Sequence, residues 1–197
     1  MTFLGIVRSR RIAAVALAAT CLVLLTGCPV NSLNGLSESG DNDPDMVLDS
    51  RLVGNWPMVG ETCTSTLTIT AHGKVYEWLF VDCEQDQKKT YYESRLFKLD
   101  QHYFLDVAPR SEEVCVMCIA MHWISLVTFD EKSFALAPMD DDWFSREVQK
   151  KRVKLTTLPD DPTVVTAPAK ELKAFCRRYA ENKDAFKPDP DWVFKRQ

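Results

Sequence analysis

Short segments in which apolar and polar residues alternate run through the chain from residue 52 to residue 138. The alternation is clearest over residues 64–70, where threonine occupies every second position and Leu67 and Ile69 lie between. A period of two indicates a strand with one buried face. Residues typical of turns, such as Gly73, separate the segments. The seven predicted strands are 52–59, 64–70, 74–81, 90–99, 103–109, 121–129 and 133–138.

The near-regular spacing of these strands predicts a mainly β domain. It is an antiparallel meander, closed as a barrel or alternatively folded as a β-sandwich. Residues 191–195 predict one more short strand near the end of the chain. A last strand beside the first would remove the open edges of the sheet.

Two helices accompany the strands. Asp140 is placed to cap the first, which runs on to Lys151 with acidic residues in its first turn and basic residues in its last. The second runs from about Pro168 to Glu181 and carries apolar residues at helical spacing. The residues that share its apolar face are Leu172, Phe175, Cys176 and Tyr179.

The first 27 residues have the layout of a cleaved export signal. Three arginines, at positions 8, 10 and 11, precede an uncharged apolar run over residues 12–25. A membrane-spanning helix needs about 20 apolar residues, so this run is too short to be one. Cleavage after residue 27 is therefore expected.

Leu25, Thr26, Gly27 and Cys28 resemble the lipobox of bacterial lipoproteins, in which the signal is cut before an obligatory cysteine. The resemblance implies that Cys28 carries a diacylglycerol on its thiol and a further fatty chain, such as palmitate, on its new amino terminus. Two or more chains anchor a protein durably. The expected location is a bacterial cell envelope. Pro29 stands where an aspartate would favour the inner membrane, so the outer membrane, facing the periplasm, is favoured.

The amino-acid composition predicts two regions in the exported chain and excludes nucleic acid as a partner. Polar residues, glycine and proline predominate over residues 30–49, so residues 28–50 are expected to be a lipidated N-terminus and flexible tether, followed by one domain over 51–197. The net charge is −4, and loss of residues 1–27, which contain three arginines and no acidic residue, makes it more negative. Such a protein is unsuited to nucleic acid, and the lipid alone must hold it on the membrane.

Residues 52–56 (LVGNW) resemble the Gly-x-Trp opening of lipocalin-type barrels, with Gly54 and Trp56 in its two fixed positions. The resemblance implies a lipocalin-like β-barrel in which Trp56 plugs the closed end under a basic residue of the last strand, Lys195 or Arg196. Other stretches are similar to a group of bacterial lipocalin-like lipoproteins of unassigned function. These stretches are residues 103–106, 121–124, 134–143 and 164–186.

Two cysteines flank the predicted hairpin of the second and third strands. If residues 72–74 form its turn, Ala71 faces Val75, and counting outward places Cys63 opposite Cys83. Facing cysteines are close enough to bond, and an exported compartment permits it. We therefore predict a Cys63–Cys83 disulfide.

Cys115 and Cys118 form a CxxC motif. A redox motif needs a helix N-terminus that lowers a thiol pKa, whereas Glu112 and Glu113 precede this one. Haem attachment would need histidine at Ile119. The pair therefore favours buried cysteines or a second disulfide, and an envelope thiol-redox protein is kept as an alternative function.

Little in the sequence favours catalysis. His72 and His102 lie in predicted turns, only His122 lies on a strand, and no serine or cysteine is spaced beside a histidine and an acid. The acidic residues 140–142 are explained by the helix cap and dipole, so no metal or cofactor is predicted.

The sequence thus predicts a non-enzymatic, membrane-anchored envelope lipoprotein whose barrel holds a small apolar ligand. The alternative is a structural or assembly partner of outer-membrane proteins. The strand aromatics, such as Trp78, Phe80 and Trp123, either fill the barrel or line a cavity.

Overall fold

The computed structural model describes residues 30–60, 62–110 and 119–196. They form a mainly β domain with two helices, which confirms the mainly β part of the predicted fold class but not its closed barrel. The elements are β1 (Asn31–Ser32), β2 (Met46–Val47), β3 (Gly54–Val59), β4 (Thr64–His72), β5 (Val75–Asp82), β6 (Lys88–Leu99), β7 (His102–Pro109), β8 (His122–Phe129), β9 (Ser133–Pro138), α1 (Asp141–Gln149), β10 (Val164–Val165), α2 (Ala169–Tyr179) and β11 (Val193–Lys195).

Strands β3 to β9 form one antiparallel meander in which each strand pairs with the next, and β11 extends it beside β9. Three two-residue strands add to this meander: β1 pairs with β8, β2 pairs with β6, and β10 pairs with β1. Because β1 and β10 run parallel, the sheet is mixed. The sheet curves until β11 approaches β3. No backbone ladder joins these two edges in the described part of the chain, so the sheet is not closed into a barrel.

The concave face of the sheet carries one of the two hydrophobic clusters. Leu67 and Ile69, which the alternation of β4 points inward, are 2% and 1% exposed. They pack with residues from every long strand because neighbouring strands present facing side chains to the same side.

The convex face of β6 to β9 is covered by α1, α2 and the N-terminal segment, which we define as residues 30–50. Phe104 on β7 contacts Phe186, and Phe186 contacts Phe175 of α2, with ring centroids 5.3 and 6.2 Å apart. Both faces of the central strands are therefore buried, and the two clusters lie on opposite sides of one sheet.

The N-terminal segment is packed, so the expectation of a flexible tether over residues 28–50 is wrong for the part that the structure describes. Val30, Leu36 and Met46 are buried, with exposed fractions of 3%, 0% and 1%. The expectation rested on average composition, which overlooks three widely spaced apolar residues that each find a site on the convex face.

Lys173 on α2 forms salt bridges with the N-terminal segment. Its Nζ lies 2.6 and 2.8 Å from the two carboxylate oxygens of Asp43 and 2.8 Å from Oδ2 of Asp45. Burial by itself raises the pKa of Asp43, but the hydrogen bonds from Lys173 and from the Asp45 amide, together with the charge of Lys173 and a smaller effect of Ser37, outweigh burial and leave that pKa below its usual value. Asp43 is therefore held as a buried anion.

Both helices lie close to where the sequence predicts them. Asp140 Oδ1 accepts a hydrogen bond from the Trp143 amide at 2.7 Å, which confirms the predicted cap of α1. The predicted apolar face of α2 is confirmed by the burial of Leu172, Phe175 and Cys176. Helix ends differ from the prediction by one or two residues.

The β4–β5 hairpin has a tighter turn than predicted. His72 faces Val75, which leaves Gly73 and Lys74 as the turn, whereas the sequence predicted that Ala71 faces Val75. Gly73 adopts a φ of +62°, which glycine reaches without strain, so a two-residue turn can form. The predicted register is therefore wrong by one residue.

A disulfide joins Cys63 and Cys83, as the sequence predicts. Both cysteines lie just outside β4 and β5, beyond the last paired residues Thr66 and Val81. Because the ladder does not fix the backbone there, the one-residue offset still allows the two sulfurs to meet.

Replacing Asp43 with asparagine should lower the free energy of unfolding by about 2 kcal/mol at pH 7, because the bond to a charged partner is lost. The folded pKa of Asp43 is below its usual 3.8, so its contribution is present above that pH and is lost as the pH falls through the folded pKa. Urea unfolding at pH 7 and pH 3 measures both effects, with Asp160→Asn at an exposed site as the control. An equal loss at both pH values would contradict this account.

Candidate functional site

The concave face encloses an apolar cavity of about 190 Å³. Every strand from β3 to β9, together with β11, contributes to its wall, and no charged side chain of the described residues does so. Trp78 Nε1 is buried without a hydrogen-bond partner in the described part of the chain, whereas Trp123 Nε1 donates to Asn31 Oδ1 at 2.8 Å. Leu67, Trp78, Phe80, Trp123, Leu136 and Phe194 form much of the wall.

The cavity lies toward one end of the sheet, which we call the mouth. Antiparallel pairing brings the last residues of β3, β5, β7 and β9 and the first residues of β4, β6 and β8 to this end. The mouth is thus defined by Met58, Phe80, Tyr92, Trp123 and Pro138, which all contact the cavity.

The opposite end of the concave face, the closed end, is filled by aromatic side chains. Trp56 meets Phe134 edge to face, with ring centroids 4.8 Å apart, and Phe134 stacks on Phe194 at 4.6 Å. Trp56 is 1% exposed and donates its indole hydrogen to the Leu52 carbonyl at 2.9 Å. The interior is therefore filled at one end and hollow at the other.

Arg196 lies over Trp56 and spans the gap between the two edge strands. Its guanidinium carbon is 5.0 Å from the ring centroid, and Nη2 donates to the Val53 carbonyl at 2.8 Å. Gly54 has a φ of +147°, a backbone conformation that favours glycine. Of the two basic residues that the sequence offered for this position, the structure places Arg196 there and leaves Lys195 exposed.

Large apolar side chains are exposed at the rim of the mouth. Three of the six large hydrophobic residues that are exposed among those described lie at this end: Val59, Trp192 and Val193, at 77%, 37% and 40%. Trp192 also lines the cavity. Outside the rim, an open groove between β3 and β11 shares Met58 and Phe80 with the cavity wall.

The convex face carries a buried aspartate–histidine pair that sequence reasoning missed. Asp106 Oδ1 is 2.6 Å from His122 Nδ1, and Asp106 Oδ2 accepts a hydrogen bond from the Leu36 amide at 2.7 Å. A side chain at Gly35 would collide with both residues. The one available signal was an acidic residue inside the apolar strand β7.

This pair holds the N-terminal segment and does not form a catalytic centre with any described residue. No described serine, threonine or cysteine hydrogen-bonds to His122, and the cavity does not reach it. Cys176 is buried nearby, and burial, then the charge of Asp106, raise the pKa of its thiol, so it stays protonated and unreactive.

The other titratable candidates are dispersed. His72 is the last residue of β4 and His102 the first of β7, so both lie at strand ends and not in the turns that the sequence predicted; they are 3.6 Å from Glu77 and 3.8 Å from Glu181, respectively. The carboxylates 140–142 belong to the start of α1. No group of three potential metal ligands occurs among the residues that the structure describes.

The lipobox residues Leu25, Thr26, Gly27 and Cys28 lie outside the described residues, as do Cys115 and Cys118. Lipidation and a second disulfide therefore stay predictions. Within the described ranges, no helix has the length and apolar character needed to cross a bilayer.

Comparison with known proteins adds no assignment. A scan against protein-family models, a search of curated proteins and a search of solved structures each found no match for this chain. The geometry of the cavity and its rim is accordingly the basis for a function.

Replacing Arg196 with methionine should lower the free energy of unfolding by about 1–3 kcal/mol, because it removes the cation–π contact with Trp56 and the bond to the Val53 carbonyl. Denaturant unfolding measures the loss. Arg152→Met, at an exposed site, is the matched control and should change stability by less than about 0.5 kcal/mol. Equal stability of the two variants would show that Arg196 does not support the closed end.

Proposed function

We propose that this protein is a non-enzymatic lipoprotein of a bacterial cell envelope, anchored through Cys28, whose lipocalin-like sheet binds a small apolar ligand. The observation that carries the ligand is the cavity at the mouth, which measures about 190 Å³ and has no charged side chain of the described residues in its wall. An uncharged, apolar occupant is the one that such a wall stabilises.

The volume of the cavity limits the size of the ligand. An apolar protein cavity of about 150 Å³ accepts benzene. Pockets for drug-sized molecules are larger, about 300–1,000 Å³. The ligand, or the part of it that enters, therefore has about six to ten non-hydrogen atoms, which is one ring or a short chain.

The lipocalin-like relationship is supported by the closed end. The resemblance of residues 52–56 implied a plug beneath a basic residue of the last strand, and Trp56 lies under Arg196 beside Gly54. The meander of β3 to β9 with β11 supplies the eight strands of such a domain, although its edges are not paired.

The remaining parts of the proposal rest on chemistry. The lipobox supports the anchor, and the Cys63–Cys83 disulfide suits an oxidising compartment such as the periplasm. A binding role is supported over an enzymatic one because the described residues of the cavity wall do not bring a nucleophile together with a base.

Binding of toluene and of 1-hexanol, each with seven non-hydrogen atoms, tests the ligand site. Both should quench or enhance the fluorescence of the cavity tryptophans saturably, with Kd of about 0.1–1 mM for molecules of this size. Leu136→Phe puts a larger side chain into the cavity wall and should raise the Kd of both probes, while Leu48→Phe makes the same change at an exposed site and should leave the Kd unchanged.

Thermal melts of both variants distinguish a smaller cavity from a failure to fold. The ligand proposal is wrong if neither probe binds the wild-type protein saturably. It is also wrong if a folded Leu136→Phe variant binds as tightly as the wild type.

Metabolic labelling with a palmitate analogue tests the anchor. Cys28→Ser should abolish the label and move the protein from the detergent phase to the aqueous phase, because the acceptor thiol is gone. Cys21→Ser changes the other cysteine of the same region and should keep both. An unlabelled wild-type protein, or a labelled Cys28→Ser variant, would refute lipidation at Cys28.

A further inference from the structure

We propose that the mouth of the cavity faces the lipid bilayer to which the protein is anchored. The proposal rests on the lipid anchor proposed above and extends it to an orientation. Three observations carry it: where the chain leaves the domain, how short the connection to Cys28 is, and what surrounds the mouth.

The chain leaves the domain beside the mouth. The Val30 amide donates to the Met139 carbonyl at 3.3 Å, and Met139 directly follows Pro138 in the cavity wall. Asn31 pairs with Trp123 of the wall and accepts its indole hydrogen at 2.8 Å. The point of exit is thus fixed to the rim by backbone and side-chain bonds.

Only Pro29 separates Cys28 from this point of exit. Two residues span at most about 7 Å even when fully extended. Val30 itself is 3% exposed and so belongs to the folded domain. Acyl chains on Cys28 would therefore hold the mouth end of the sheet at the membrane surface, because no tether allows the domain to turn away.

The rim exposes apolar side chains that can enter a bilayer interface. Trp192 lines the cavity, and Val193, the next residue, shares a groove with Val59. Tryptophan favours the interfacial region of membranes, and exposed apolar patches mark interaction surfaces. The acidic net charge makes attraction to anionic headgroups a poor alternative, so apolar contact carries the interaction.

This orientation gives the cavity a route for its ligand. An apolar molecule dissolved in the bilayer would enter past Trp192 without crossing water, since Trp192 both lines the cavity and is exposed at the rim. The partner surface is accordingly a lipid bilayer, and the ligand class is a membrane-soluble apolar molecule.

Quenching by brominated lipid tests the orientation. The acylated full-length protein is reconstituted into phosphatidylcholine vesicles with bromine atoms high on the acyl chains, and tryptophan fluorescence is compared with that in unbrominated vesicles. We expect Trp192→Phe to remove at least half of the quenching and Trp143→Phe, on the convex face, to retain it. Adding anionic phosphatidylglycerol should not increase the quenching.

Insertion of a flexible spacer tests whether the short connection orients the domain. Twelve glycine and serine residues inserted between Pro29 and Val30 give a reach of about 20 Å and free the domain to turn. Quenching should then fall at least twofold while the protein still pellets with the vesicles. Unchanged quenching would show that the short connection does not orient the domain.

The outcomes separate this proposal from the anchor. A protein that is not acylated and does not pellet with vesicles overturns the anchor itself. A protein that is acylated and pellets, but shows no quenching or the same quenching in Trp192→Phe as in the wild type, overturns the orientation alone.

Discussion

Trp56 is held between the ring of Phe134 and the guanidinium of Arg196, and the concave side of the sheet is organised around this contact. Arg196 comes from the strand end that faces Val53 across the gap, so one side chain covers the plug and bridges two strands that share no ladder. Large aromatic residues fill this end completely. The space that remains is consequently at the other end, where the apolar cavity lies.

The convex side obeys a different constraint. A strand whose second face is also apolar must be covered, and Phe97 and Phe104 are covered by α2 and by the N-terminal segment. The segment is held by buried apolar residues, by the Asp43–Lys173 ion pair and by the Asp106 carboxylate that accepts the Leu36 amide. Through these contacts the N-terminal segment becomes part of the folded domain.

Packing of the N-terminal segment on the convex face also fixes where the chain enters the domain relative to the cavity on the concave face. Because Val30 is hydrogen-bonded to Met139, the residue after Pro138 of the cavity wall, the connection to the proposed lipid anchor starts near the rim of the cavity. A filled end, a hollow end and a fixed point of attachment together make an asymmetric domain. Such asymmetry is compatible with the proposed exchange of an apolar molecule with one surface, at which Trp192 and Val193 are exposed.

Interactions between residues close together in the chain allowed many elements of the fold to be predicted from the sequence. Period-two alternation located the long strands and the Asp140 carboxylate located a helix start, because each signal depends on residues close together in the chain. The closed end at Trp56 was expected only from the resemblance of residues 52–56 to lipocalin-type barrels. Tertiary structure alone decided that residues 30–50 are packed, that Asp106 meets His122, and that the interior is hollow at the mouth. Those features depend on contacts between segments far apart in sequence and on volumes left between facing side chains, which no local pattern encodes.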